Sequence, residues 1–212
     1  MTASELITAP VAEPITLAEA KAFLRVETVA DDTLVTALIV AARGWAEQFT
    51  NRVFVTQTWR LWLDQWPCGN SEWWDGMREE SITHLAATQA VTLPKASLQS
   101  VSSITTYADD DTANVWASSN YFTDTASKPG RVIARGNAGW PQPSRMANGI
   151  CIEYVAGYGN AAAVPETIKT AIKQLVAHWY EHRGEAVAGS FAPPPLTVTA
   201  LLLPYRLQGL TL

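Results

Sequence analysis

The stretch from residue 150 to 185, ICIEYVAGYGNAAAVPETIKTAIKQLVAHWYEHRGE, constrains the fold most. Ile150, Ile152 and Tyr154 share one face of a strand, and Gly157 and Gly159 supply a turn. A single amphipathic helix follows. Pro165 suits its first position, where a missing N–H costs nothing, and Glu166 favours the positive helix end. Ile168, Ile172, Leu175, Val176 and Trp179 recur at i, i+4, i+7, i+8 and i+11, one apolar helical face. Gly184 stands where such a helix stops, which predicts a helix over 165–183.

The preceding chain supplies two more helices and then changes period. Residues 1–14 read as a flexible lead-in. Thr16 and Glu19 form a capping box, and Leu17, Ala20, Phe23 and Leu24 give a helix over 16–25 its apolar stripe. Asp31 and Asp32 are N-cap residues for a second helix over 32–51. Its expected inner face is Leu34, Leu38, Ala42, Trp45 and Phe49, widened by Val35, Ile39 and Ala46. From residue 53 the period falls to two, with Trp59, Leu61 and Leu63 alternating against Arg60, Trp62 and Asp64. Residues 67–90 lack a period and read as a long loop or insertion. Strand-like pieces follow at 91–93, 101–107, 121–122 and 131–135, separated by turn chemistry at Asp109–Asp111 and Lys128-Pro129-Gly130. The reading is α+β: two helices, a β-rich insertion over 53–157, then the long helix, so that 15–185 is one domain.

Residues 186–212 differ in composition. Pro193, Pro194 and Pro195 make a stiff spacer, and 196–212 is apolar with no acidic residue. Such a tail is expected to dock on another surface; folding back onto its own domain is the alternative.

Composition excludes several functions. A chain of 212 residues with net charge −5 is poorly suited to grip nucleic acid, which requires clustered Lys and Arg. No apolar run approaches the roughly 20 residues of a membrane span, and the N-terminus has no signal-peptide pattern. Cys68 and Cys151, far apart and outside any C-x-x-C, fit free thiols in a soluble intracellular product. His178-Trp179-Tyr180-Glu181-His182 matches H-x-x-E-H formally, but no His or Cys follows to complete a zinc site. Asp109–Asp111 reads as a solvated turn, and Gly157, Gly159 and Asn160 form a lone turn without a basic phosphate partner. Ser103, Ser119 and Ser144 have no nucleophile-elbow context. No catalytic constellation, metal site or cofactor site is expected. Nine tryptophans remain, of which Trp62, Trp66, Trp73 and Trp74 are candidate interface aromatics.

The order of motifs resembles one family. T-L-A-E-A-K-x-x-L-R (16–25), D-D-x-L (31–34), I-x-Y-x-A-G-Y-G (152–159), P-E-x-I-K-x-A-I (165–172) and L-x-P-Y-R (203–206 at its end) are similar to head–tail connector, or adaptor, proteins of tailed bacteriophages and phage-like gene transfer agents. Both ends of the chain match, and the middle from about 67 to 148 does not. The resemblance implies a small helix-bundle connector core and a structural virion role without enzymatic activity. It implies a homo-oligomeric ring, commonly of twelve, under the portal protein at the head–tail junction. The ring would extend the channel for passing double-stranded DNA and seat the next neck or tail component, a stopper or tail terminator. Assembly would take place in the bacterial host cytoplasm, with no membrane partner. Leu201, Leu202, Leu203, Pro204, Tyr205, Arg206 and Leu207 are the residues expected to dock on the portal. Two other readings stand beside this one: a carbohydrate- or surface-binding β module using the tryptophans, and a zinc hydrolase using His178 and His182.

Overall fold

The structure, a computed structural model, describes residues 2–67, 90–136, 138–182 and 194–207. The chain forms two compact units that interleave along the sequence, one containing Met1–Ala9 and Gln57–Ala156, the other Pro10–Thr56 and Gly157–Leu210.

The first unit is β-structured. Its strands are β1 (Thr2–Thr8), β2 (Gln57–Leu63), β3 (Ala90–Thr92), β4 (Leu98–Tyr107), β5 (Ala113–Val115), β6 (Tyr121–Asp124), β7 (Arg131–Ala134) and β8 (Ile150–Ala156). A five-stranded antiparallel sheet runs in the order β1-β2-β8-β4-β5, and a three-stranded one in the order β3-β7-β6. β8 takes the middle because Ile150, Ile152, Tyr154 and Ala156 are apolar and fully buried. Across β2 and β8, Leu61 faces Ile152 and Leu63 faces Ile150, while Arg60 faces Glu153 and pairs with it at 3.0 Å. Two register shifts interrupt β4 along β8, where extra residues kink the strand.

The lead-in expected over 1–14 is corrected by β1, which pairs Ser4 with Leu61 and Leu6 with Trp59. Residues 3–8 stay exposed, so the strand is held mainly by its ladder and no apolar pattern marks it in the sequence. β5 escaped notice for the same reason, with all three residues exposed.

The second unit is helical: α1 (Leu17–Leu24), α2 (Asp32–Thr50), α3 (Glu166–Glu181) and α4 (Leu196–Leu202). α3 packs against the other three. Its Ile168, Ala171, Ile172 and Leu175 are wholly buried and Val176 nearly so, while Trp179 packs at the edge. At α1 the capping box forms: Glu19 N–H donates to Thr16 Oγ1 at 3.2 Å, and Thr16 N–H to Glu19 Oε2 at 2.7 Å. The inner face of α2 is corrected. Val35, Ile39, Ala42, Ala46 and Thr50 are buried, whereas Leu34 is exposed and Leu38, Trp45 and Phe49 only flank the core. One residue rotates the face by about 100°, and small Ala42 and Ala46 let α2 approach its neighbour closely. Trp45 and Phe49 stack at 5.2 Å over the edge.

Asp31 makes no side-chain cap bond. It accepts from the Tyr180 hydroxyl at 2.5 Å, and Asp32 pairs with Lys21 at 2.5 Å, so both acids tie helices together. Arg43 bridges Glu13 at 2.7 Å and Glu47 at 2.8 Å, and Glu47 also accepts from Phe54 N–H at 2.9 Å. The turn after β8 is built by Gly157. At its φ of +132° an added Cβ would lie 2.8 Å from the Thr56 nitrogen, so only glycine fits there. Tyr158 N–H then donates to Phe54 O, and Thr56 N–H to Gly159 O, each at 2.9 Å.

Candidate docking site

The apolar tail has a core of its own, contrary to the expectation that it would find one elsewhere. Pro195 starts α4, whose Val198 and Leu202 are completely buried against the helical core. A 3-10 turn over Leu203–Tyr205 follows. The tail is then pinned where α2 ends. α2 closes with Asn51 in the left-handed conformation at φ 53°, which leaves Thr50 O free to accept Leu207 N–H at 3.0 Å. Buried Arg52 donates through Nε to Tyr205 O. The Arg206 guanidinium lies 5.3 Å from the centre of the Phe49 ring.

These contacts divide the residues expected to meet a portal. Leu202 and Leu207 are buried in the chain's own helical unit, and half-buried Leu201 and Tyr205 pack against that core. All four anchor the tail in this chain, and Leu202 and Leu207, already out of water, have little apolar surface left for a second partner. Leu203 at 55% exposure, Pro204 and Arg206 stay open to solvent. Neither Thr50 nor Arg52 was singled out in the sequence, and an Arg beside a helix end carries no signal of a contact so distant along the chain.

The tryptophans divide likewise. Trp66, expected at an interface, is 5% exposed. Its ring lies 4.3 Å from Trp140 and 6.4 Å from Trp116, and its indole N–H donates to Pro141 O at 2.6 Å. Trp116 also meets Tyr121 at 5.5 Å, so these rings form a core cluster of the β unit. That burial leaves no ring face of Trp66 for a sugar. Trp62 is half-buried, donates to Glu5 Oε2 at 3.0 Å and tilts against Tyr107 at 5.9 Å. Trp73, Trp74 and Cys68 lie outside the described residues. Cys151 is buried, and burial pushes its thiol up to about 11.

His178 and His182 are in ring contact at 4.4 Å near the end of α3. Among the described residues no group of three His, Cys, Asp or Glu comes together as a metal site. Asp110 accepts from Thr112 N–H at 3.0 Å, an arrangement that serves the turn. No described helix is long and apolar enough to cross a membrane.

Fold and site together define an α+β protein whose pinned tail leaves Leu203, Pro204 and Arg206 exposed. The family model for head completion protein matches residues 13–191. The chain therefore belongs to the head completion protein family. It is similar in structure to a chain in the neck of an empty GTA particle computed with C6 symmetry, at a TM-score of 0.71 and 24% identity over 98% of both chains. A chain of the virion of a native gene transfer agent particle matches at 0.71 and 23% identity, over 97% of this chain and 98% of that one. A chain in the neck of a native GTA particle computed with C12 symmetry matches at 0.65 and 24%, over 98% of both. No curated protein sequence matches the chain.

Proposed function

We propose that this protein is a head–tail adaptor of a phage-like particle, located at the head–tail junction of the virion after assembly in the bacterial host cytoplasm. The observation that carries the reading is membership of the head completion family across 13–191. The similar chains come from necks computed with C6 and with C12 symmetry, and a ring of twelve subunits is compatible with both. In this reading the ring sits under the portal, continues the DNA channel and seats the next neck or tail protein. The net charge of −5 suits a conduit that lets DNA pass without holding it.

The portal-facing residues are Leu203, Pro204 and Arg206, presented by the anchored tail. The subunit is monomeric or weakly associated alone, and the portal ring templates its assembly. Twelve modest contacts to one ring then give strong avidity. The direct test is genetic. Particles produced without this chain should accumulate as heads that carry no tails, and adding the purified protein should restore joining. Normal tailed particles in its absence would refute the proposal.

A further inference from the structure

We infer that His178 and His182 form a two-imidazole site for a late first-row divalent ion such as Cu²⁺, Ni²⁺ or Zn²⁺. The residues stand one turn apart at the C-terminal end of α3, with ring centroids 4.4 Å apart. His182 Nδ1 lies 2.7 Å from His178 O. A carbonyl oxygen only accepts, so Nδ1 carries the proton and Nε2 of the neutral ring holds its lone pair free for a metal. A backbone carbonyl on the far ring nitrogen is also the usual orienting contact of a metal-binding His. His178 Nε2 is buried without a hydrogen-bond partner, as is Gln174 Oε1 one turn earlier. A buried nitrogen left unpaired costs stability, and coordination would satisfy it.

The negative end of the α3 dipole favours a cation here. Imidazole donors select copper, nickel or zinc over calcium or magnesium. Among the described residues no third His, Cys, Asp or Glu joins the pair, so the two imidazoles are the protein donors identified there.

The experiment uses the full-length chain stripped with a chelator and titrated with Cu²⁺ and Zn²⁺ by calorimetry, with electron paramagnetic resonance of the copper form. The result expected is one ion per chain, two nitrogen ligands on copper, and affinity about tenfold or more weaker in both His182→Ala and His178→Ala. His182 is exposed, so its variant folds and reads the site without a packing change. His84→Ala serves as the control and should bind as the parent does. Absence of binding, unchanged affinity in His182→Ala, or loss confined to His84→Ala would overturn the inference.

Discussion

The helical unit and the β unit bury comparable cores by different means. In the helical unit α3 is covered by three other helices, and its apolar side chains recur every three or four residues, so each burial choice is visible locally. In the β unit the middle strand is as well buried, but its neighbours come from β2 and β4, and the outer strands β1 and β5 expose every residue on which burial is described. Arg60 and Glu153, which face each other, stand 93 positions apart. Helix packing is written in short-range periodicity, whereas strand pairing depends on partners that short-range periodicity does not name.

Paired truncations sharpen this contrast. Trp66→Ala should cost about 3–5 kcal/mol, and Leu202→Ala about 2–5 kcal/mol, as deleted core side chains do. Hydrogen exchange should then separate them, with protection lost in β2, β4 and β8 for the first and in α3 and α4 for the second. Uniform loss in both variants would merge the two units into one cooperative block. Gly157→Ala should cost about 2–3 kcal/mol, since the new Cβ meets the Thr56 backbone at 2.8 Å on a residue of φ +132°. Chemical denaturation measures it, and a neutral result would break the account of the turn.

A smaller effect belongs to the α1 cap. Thr16→Ala should cost about 1 kcal/mol. The backbone N–H of Thr16, and then its hydroxyl, hold the Glu19 carboxyl below its ordinary value of 4.5. A depressed carboxylate stabilises the fold above that value and loses the contribution as pH falls through its folded pKa. Thr16→Ala keeps the backbone donor and removes the hydroxyl, so it should only partly flatten the acid limb of a stability–pH curve, and an unchanged limb would remove the hydroxyl from that role.

Much of the helical unit was legible. Thr16, Glu19 and the α3 stripe follow from capping chemistry and the helical period. Ala42 is buried as expected, but the centre of the α2 face was misjudged because Leu34, Leu38, Trp45 and Phe49 are larger than Val35 and Ala46, and size was favoured over close packing. For the tail, composition showed an apolar segment but not its partner. The groove that takes Val198 and Leu202 is assembled from α2 and α3, more than a hundred residues apart in the chain. Of the longer expected docking set, Leu203, Pro204 and Arg206 are the members left exposed, and Trp66 is buried in a core that Trp116 and Trp140 complete.

Deleting the tail would unpack the helical core, so the adaptor claim is best tested with the variant Leu203→Ser/Pro204→Ala/Arg206→Ala, which leaves buried Val198 and Leu202 in place and should cost about 1 kcal/mol at most for the lost Arg206–Phe49 contact. The decisive measurement is the solution mass of the full chain, alone and mixed with the portal protein encoded near it. The account predicts a small species alone, a ring-sized complex with portal, and a weakened complex for the triple variant. A chain that stays at its own mass in the presence of portal would contradict it.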